Sequence, residues 1–362
     1  TDTQGAVDLV SRFGGEYAVV ENPGYVYPPY DIYPLAPRAE ALSAGVLGAV
    51  MDMDGTTTTT EPLCLHSLEM MVRWITGREH DPAWPGLNRE RDYPHIIGNS
   101  TTRHVEYLIR TYQADIQLPA LRTFLVYAAA WTIGKAADPG RRKEVTSNLY
   151  ALGVGDMMRD ERFVRLTQVQ NLDDPYEQEV IAQIADKYAP RLPFNDFSNI
   201  VRAAVDIYYQ RYHFILAHLA QGEGAEFAKA ILGSADKHLI EPMHGIGVFL
   251  SLIKGWLDDC ADACYPILAD YLVSLGESRA EIDALRPVLG RLGRYFKTHP
   301  LAVSIVTSSI HYEANIVLNE VFRVLVEQIK TWDLPADKKA FLCEQFADYR
   351  NYYDGFITAS DS

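Results

Sequence analysis

The chain has 362 residues, 48% of them hydrophobic and 22% charged, with a formal net charge of −15. This composition supports a large hydrophobic core and excludes a disordered chain, while the negative charge argues against a nucleic-acid partner. No apolar run reaches the ~20 residues of a membrane helix, no signal peptide is visible, and the four cysteines suggest no disulfide framework, so we expect a cytoplasmic protein.

The first 44 residues predict an arm. Residues 16–21 read as a short strand, and residues 22–37 are rich in proline and tyrosine, which excludes a long helix. We expect an extended segment whose aromatic side chains anchor it to the core. A binding surface made of the same side chains is the alternative.

A buried strand is predicted over residues 46–50, and two aspartates follow it within Asp52–Thr56, which reads Asp-Met-Asp-Gly-Thr. Alternate residues of an extended chain point the same way, so Asp52 and Asp54 lie on one side, about 7 Å apart. Gly55 permits a sharp turn. Two neighbouring carboxylates favour a proton or a hard metal ion between them.

Five threonines, residues 56–60, favour an extended flap because threonine is β-branched. A helix is predicted next, with apolar residues at 68, 71, 72 and 75. Further on, Ser100 or Thr101 is expected to cap a helix that ends near residue 112. The loop before it would present free N–H groups to an anion, or would simply begin an ordinary helix.

Residues 119–297 carry helical periodicity almost throughout, with a long amphipathic helix over 201–219. Four shorter helices are predicted over 227–231, 247–257, 267–275 and 282–296. An α/β pattern then returns: a strand at 301–307, a helix at 314–329, another at 338–349 and a strand at 353–359. Strand, helix and strand in this order predict parallel strands, whose carboxyl ends share one edge of the sheet.

The Asp-x-Asp-Gly-Thr sequence at Asp52–Thr56 resembles the signature of the haloacid dehalogenase (HAD) superfamily of phosphoryl-transfer enzymes. Val306–Ser309, an apolar strand ending in hydroxyl residues, resembles the second motif of that superfamily. The resemblance implies an α/β fold with a Rossmann-like parallel-sheet core and a large all-α cap inserted after the first core strand. It divides the chain into 1–61, the arm and first part of the core; 62–299, the cap; and 300–362, the second part of the core.

The same resemblance implies roles for individual residues. Asp52 would be the nucleophile, and Asp54 the general acid and then base. Thr307, with groups at Ser308 and Met53, would bind the phosphoryl oxygens, and Mg²⁺ would lie between Asp52 and Asp54. The expected activity is an Mg²⁺-dependent phosphatase of a small phosphorylated metabolite, acting through an aspartyl phosphate. A phosphomutase and a non-catalytic binding or scaffold protein are the alternatives.

The helical insert is similar to the caps of the β-phosphoglucomutase and phosphatase branch, but is unusually large. The similarity lies in residues 95–106, which resemble the substrate-specificity loop of those caps, and it makes Asn99, Ser100 and Arg103 candidate substrate contacts. Separately, Lys254 is a candidate phosphate contact of the cap, with an ordinary surface lysine as the alternative. The lysine and the final acidic motif of the superfamily are not found, so we expect a core that is incomplete at its C-terminus. The sequence leaves the oligomeric state open.

Two further pairs have the spacing of metal ligands. Glu241 and His244 have the Glu-x-x-His spacing of di-iron sites, and Cys260 and Cys264 are four residues apart. The Glu-x-x-His pair lacks a second copy with facing glutamates, so a structural role is expected for it. The cysteines lie near three aspartates, so a soft metal site is the alternative to a buried pair of small apolar residues.

Overall fold

The computed structural model describes residues 17–21, 30–34, 46–97 and 100–361. The protein is α/β, with a large helical part and a small parallel sheet of three strands. It divides into two compact units, residues 1–41 with 65–214 and residues 42–64 with 215–362. Within the part of the chain described, no helix is both long and apolar enough to cross a membrane.

The first unit contains an antiparallel strand pair and most of the helices that precede residue 215. Strands β1 (Tyr17–Glu21) and β2 (Tyr30–Pro34) pair with Tyr17 opposite Pro34. The strand predicted near residue 16 is therefore confirmed. Most of the predicted proline- and tyrosine-rich arm lies outside the described residues.

Among the described residues, eight helices lie wholly or partly in the first unit. They are α1 (Glu61–Ile75), α2 (Tyr93–Ile96), α3 (Thr101–Thr111), α4 (Leu118–Lys135), α5 (Pro139–Ala151), α6 (Glu161–Gln168), α7 (Pro175–Tyr188) and α8 (Phe197–Ala220). Helix α4 packs against α5, α6 and α7 and buries residues around most of its circumference, as a central helix must.

Aspartate side chains begin three consecutive helices of this unit. Asp138 accepts a hydrogen bond from the backbone N–H of Arg141 at 2.6 Å, at the start of α5. Asp160 and Asp174 occupy the same position at α6 and α7. Each cap satisfies an N–H group that the helix leaves unpaired and contributes about 1 kcal/mol. These caps fix where the helices around α4 begin.

The parallel sheet lies in the second unit. Its order is β3 (Gly48–Asp52), β4 (Ala302–Val306) and β5 (Gly355–Ile357), with Asp52 aligned with Val306. The predicted strands and their parallel arrangement are confirmed, although β3 begins and ends two residues later than expected. The prediction that this first strand is buried is wrong, since Met51 is its one buried residue. Met51 is buried on one face of the sheet, whereas the side chain of Val50 is 74% exposed on the other.

In the described part of the second unit there are seven further helices, and this unit also includes the end of α8. They are α9 (Gly224–Leu232), α10 (Ile246–Ile253), α11 (Tyr265–Ser274), α12 (Arg279–Thr298), α13 (His311–Thr331), α14 (Ala336–Gln345) and α15 (Tyr349–Tyr352). The helical periodicity of the sequence therefore predicted this region well. Helix α12 continues through Pro287, which the sequence alone would mark as a break or kink.

An aromatic cluster forms much of the core of the second unit. Phe322, Phe346 and Tyr352 are almost fully buried, and their ring centroids lie 5.4–5.9 Å apart. Each such side chain contributes about 1.5–3 kcal/mol by leaving water. The hydroxyl of Tyr352 donates to the carbonyl of Leu250 at 3.0 Å, so its one polar atom is also satisfied.

The two compact units differ from the ranges predicted for the cap and core. Residues 215–299 were assigned to the cap, but they belong to the same unit as the sheet. The chain passes between the units within α1 and within α8. Helical periodicity marks helices but does not say which of them pack beside a sheet.

Candidate active site at the carboxyl end of the sheet

The Asp-x-Asp-Gly-Thr segment begins at the last residue of β3. The side chain of Met53 is fully buried, so the two flanking aspartates project away from it. Asp52 is exposed and Asp54 is half-buried. Gly55 has a φ of +72°, which a residue with a Cβ atom rarely adopts, and it turns the chain immediately after the second aspartate.

The threonine run forms a tight turn, so the prediction of an extended flap is wrong for its first half. The backbone N–H groups of Thr57 and Thr58 both donate to the carbonyl of Met53, at 2.9 and 3.0 Å. The hydroxyl of Thr57 donates to the carbonyl of Asp52 at 2.8 Å. Backbone and hydroxyl bonds that close on the strand end outweigh the extended preference of threonine.

The second half of the threonine run is tethered to a distant segment. The backbone N–H of Thr59 donates to the carbonyl of Glu241 at 2.8 Å, and the N–H of Met243 donates to the carbonyl of Thr57 at 3.0 Å. The Thr59 hydroxyl lies 3.0 Å from the N–H of Glu241 and accepts from it. These bonds hold the turn after Asp54 in one position.

Both carboxylate oxygens of Asp54 accept hydrogen bonds from hydroxyl groups. The hydroxyl of Thr60 donates to Oδ1 at 2.6 Å, and that of Ser309 donates to Oδ2 at 3.0 Å. Burial raises the pKa of Asp54, the two hydroxyl bonds oppose that rise, and the nearby charges of Glu313 and Asp52 add to it. Asp54 therefore retains a proton to higher pH than an ordinary aspartate.

Thr307 and Ser308 lie at the same edge of the sheet as the aspartates. Since Asp52 is aligned with Val306, Thr307 is one residue beyond it on the neighbouring strand. Thr307 is buried, its N–H donates to the carbonyl of Ile357 at 3.0 Å, and its hydroxyl accepts from the N–H of Ser309 at 3.0 Å. Ser308 is exposed. The structure thus brings together the core residues predicted from the sequence.

Asp52 is the more accessible of the two acids. One of its carboxylate oxygens, Oδ1, accepts from the backbone N–H of Met53 at 2.8 Å. The amide predicted to bind a phosphoryl oxygen is therefore paired with Asp52 itself. An exposed carboxylate oriented by one amide bond has the accessibility that a nucleophile needs.

Thr57, Thr60 and Ser309 were not predicted to contribute to the site, although they contact the aspartates directly. Ser309 closes the Val306–Ser309 motif, so its presence at the edge of the sheet was a usable signal. The roles of Thr57 and Thr60 depend on where the threonine run turns. That turn is set by Gly55 and by the distant segment at residues 241–243, and periodicity reports neither.

The predicted substrate contacts of the cap do not all share the sheet unit. Ser100 and Arg103 belong to the first unit. Ser100 is the N-cap residue of α3, as expected, but its side chain makes no capping bond; it and Arg103 are exposed. Asn99 lies outside the described residues.

Lys254 was predicted to contact phosphate in the cap, but the structure places it elsewhere. Its ammonium lies 2.5 Å from Oδ2 of Asp354, which also accepts from the N–H of Val303 at 2.7 Å. Val303 is near the amino end of β4, whereas Asp52 and Thr307 lie at the carboxyl ends of their strands. The acidic partner at residue 354 determines the position of the lysine, and the sequence pattern did not reveal that pairing.

The described residues contain no cluster of three or more His, Cys, Asp or Glu side chains placed to hold a metal ion. Mg²⁺ commonly uses only one or two carboxylates, with water and substrate phosphate completing its shell. Asp52 and Asp54 meet that smaller requirement. Cys260 and Cys264 are free thiols, and burial, together with Cys260, raises the pKa of Cys264 to about 12, which disfavours a metal-binding thiolate. His244 stacks on Tyr271 with centroids 3.9 Å apart.

Comparison of the chain with protein-family models, with curated proteins and with solved structures found no match. Its function is therefore inferred from the residues at the carboxyl end of the sheet.

Proposed function

We propose that the protein is an Mg²⁺-dependent phosphatase of small phosphorylated metabolites with a HAD-like core. One observation carries the proposal. An exposed carboxylate, Asp52, lies two residues before a shielded carboxyl, Asp54, whose pKa is raised and whose oxygens accept two hydroxyl bonds. A nucleophile and a proton donor are thereby provided at one strand end.

Attack by a carboxylate of the protein divides one difficult displacement at phosphorus into two easier steps. The Asp52 carboxylate attacks phosphorus and forms an acyl phosphate, while the bond to the leaving oxygen breaks. Asp54 donates its proton to that oxygen, so the product leaves as a neutral alcohol. The raised pKa of Asp54 supports this role because the proton must be present when the reaction begins.

The second step restores the enzyme. Water attacks the phosphorus of the acyl phosphate and gives up a proton to the Asp54 carboxylate. Inorganic phosphate and the Asp52 carboxylate are released. The hydroxyl bonds from Thr60 and Ser309 stabilise the ionised form of Asp54 between the two steps, so the same group both gives and accepts a proton.

Donors for the phosphoryl oxygens are available at the neighbouring strand. The hydroxyl of Thr307 and the exposed residue Ser308 lie just beyond β4. The backbone N–H of Met53 would also donate to a phosphoryl oxygen, once it no longer donates to Oδ1 of Asp52. Donors held by the sheet need little rearrangement when charge develops in the transition state.

Mg²⁺ would be held by the carboxylate of Asp52 and the backbone carbonyl of Asp54. When bound, it would offset the negative charge of the phosphoryl group and of the two acids. Substrate phosphate and water would complete the shell of the ion, as is common for Mg²⁺.

The test is hydrolysis of p-nitrophenyl phosphate with Mg²⁺ by the wild-type protein and by Asp52→Asn. We expect the substitution to lower turnover by about 10³-fold or more, because the amide cannot act as the nucleophile. The control is Asp333→Asn, which changes an exposed aspartate of the same unit and should leave turnover unaltered.

Equal turnover by wild-type and Asp52→Asn proteins would exclude Asp52 as the nucleophile. Turnover by neither would favour the binding-protein alternative. With a phosphorylated sugar as substrate, release of inorganic phosphate separates a phosphatase from a phosphomutase, which returns the phosphoryl group to the sugar.

A further inference from the structure

The interior of the first unit contains a chain of polar side chains between α5 and α8. Nδ2 of Asn148 donates to Oδ1 of Asp206 at 2.9 Å, and the guanidinium of Arg202 donates to Oδ1 of Asn148 at 2.9 Å. Asn148 and Asp206 are each 1% exposed. Polar groups buried to this degree are costly unless they are hydrogen-bonded.

Two acceptor oxygens at this group of polar side chains have no hydrogen-bond partner among the described residues. They are Oδ2 of Asp206 and Oε1 of Gln210, and the side chain of Gln210 is only 2% exposed. Residues four apart lie on the same face of a helix, one turn from each other, and Asp and Gln at this spacing can pair. Where two acceptor oxygens lie within hydrogen-bond distance, a hydrogen between them replaces their repulsion by a bond.

We propose that Asp206 is protonated on Oδ2 in the folded protein and donates that hydrogen to Oε1 of Gln210, forming a pH-sensitive latch within α8. A single proton satisfies both unpaired oxygens. The other carboxyl oxygen, Oδ1, keeps its bond from Asn148, which joins the latch to α5.

The surrounding charges support a proton at this position. Glu144 and Arg141 on α5 and Arg202 on α8 are the charged groups that act on Asp206. Burial raises the pKa of Asp206 to about 7 and Glu144 adds to the rise, while the Asn148 bond and the two arginines oppose it. Burial therefore destabilises the Asp206 anion more than its positive neighbours stabilise it.

The direction of the pH effect follows from proton binding in the two states. Below the ordinary pKa of aspartate, both folded and unfolded chains hold the proton. Above it the unfolded chain loses the proton while the folded chain keeps it, so the unfolding equilibrium constant rises by up to about tenfold per pH unit. The rise ends near pH 7, where the folded chain also ionises and the hydrogen that Asp206 donates to Gln210 is lost.

The direct test follows the ¹³C resonances of aspartate carboxyls in the whole protein as pH is changed, with Asp206→Asn to assign the signal. We expect a midpoint near pH 7 for Asp206. A midpoint at the ordinary value of about 3.9 would overturn the proposal. It would indicate the opposite orientation of the Gln210 amide, with its NH₂ group donating to an ionised carboxylate.

Unfolding by denaturant from pH 4 to pH 8 provides the second measurement. In Asp206→Asn, the number of protons released on unfolding between pH 4 and pH 7 should fall by one. The variant should still fold, because asparagine can donate to Gln210 and accept from Asn148. Asp186→Asn, an exposed position on α7 of the same unit, should leave that number unchanged. If Asp206→Asn does not fold, the resonance with a midpoint near pH 7 in wild-type protein still decides; its absence contradicts the latch.

Discussion

Asp54 and Asp206 are both carboxyls whose pKa is raised chiefly by burial, yet their surroundings differ. Asp54 accepts one hydroxyl bond at each oxygen, and one side of its neighbourhood is open enough to leave it half-buried. Asp206 is 1% exposed and receives a bond at one oxygen only. Donors at both oxygens support exchange of a proton, whereas an unpaired oxygen inside the helical unit favours keeping it.

The comparison shows that burial alone does not define a catalytic acid. A general acid must also be stable after it has lost its proton. Thr60 and Ser309 provide that stability to Asp54, and they are fixed in place by the threonine turn and by the end of β4. Asp206 has arginine neighbours but no second donor among the described residues, so ionisation leaves one buried carboxylate oxygen unpaired.

The Asp52→Asn test above should give the largest effect on the chemistry. Next to it, Asp54→Asn should lower turnover of p-nitrophenyl phosphate by about 10²–10⁴-fold, because no carboxylate remains to accept the proton of the water that attacks the acyl phosphate. Asp206→Asn serves as the paired control and should change turnover by no more than about twofold, within the range of a surface substitution. Equal losses in the two variants would remove the distinction between a catalytic and a structural carboxyl.

For stability, in contrast to turnover, the substitution of Asp206 should have a larger effect than that of Asp54. Relative to wild type, Asp206→Asn should gain up to about 4 kcal/mol in unfolding free energy between pH 4 and pH 8, because wild type progressively loses stability up to about pH 7. Asp54→Asn should gain in the same direction but by less, since two hydroxyls already stabilise the ionised form. Denaturant unfolding of both variants at the two pH values tests this.

Thr60→Val should give a smaller effect confined to Asp54. Removing the hydroxyl at 2.6 Å costs about 1 kcal/mol in stability and raises the pKa of Asp54 further, because the lost bond favoured the anion. The alkaline limb of the kcat profile should move to higher pH.

The matched control for that substitution is Thr59→Val. Its hydroxyl bonds the backbone of Glu241 and not Asp54, so it should lose stability without moving the kcat profile. A shift of the same size in both variants would show that the turn, rather than the hydroxyl of Thr60, sets the pKa.

The smallest effect is expected at Lys254, which pairs with Asp354 and contacts neither Asp54 nor Asp206. Lys254→Met should cost about 1 kcal/mol or less, because Asp354 is half exposed to solvent. Turnover should be unchanged if the lysine acts only at the amino end of β4. A large rise in KM would instead restore it as a substrate contact.

Much of this architecture could be predicted from local pattern. Apolar runs located the three parallel strands, and the order of strand and helix fixed their direction. Helical spacing located α8 through α13 to within a few residues. These features depend on side chains close in sequence, which is the range over which periodicity is informative.

The remaining features depend on distant partners. Ser309 meets Asp54 across 255 residues, and Asn148 meets Asp206 across 58. On α8 the spacing of apolar residues identified the buried face, but Asp206 on that face is polar, so hydrophobic pattern gave no reason to notice it. Lys254 was misplaced for the same reason, since its acidic partner is 100 residues away.

The tether between the threonine turn and residues 241–243 uses backbone atoms on the distant side. Thr57 and Thr59 meet the carbonyl and N–H groups of Glu241 and Met243, 182 residues apart in the case of Thr59. Side chains at positions 241 and 243 can therefore vary without breaking these bonds. That freedom makes the segment a suitable place for engineered diversity, provided that its length and backbone path are preserved.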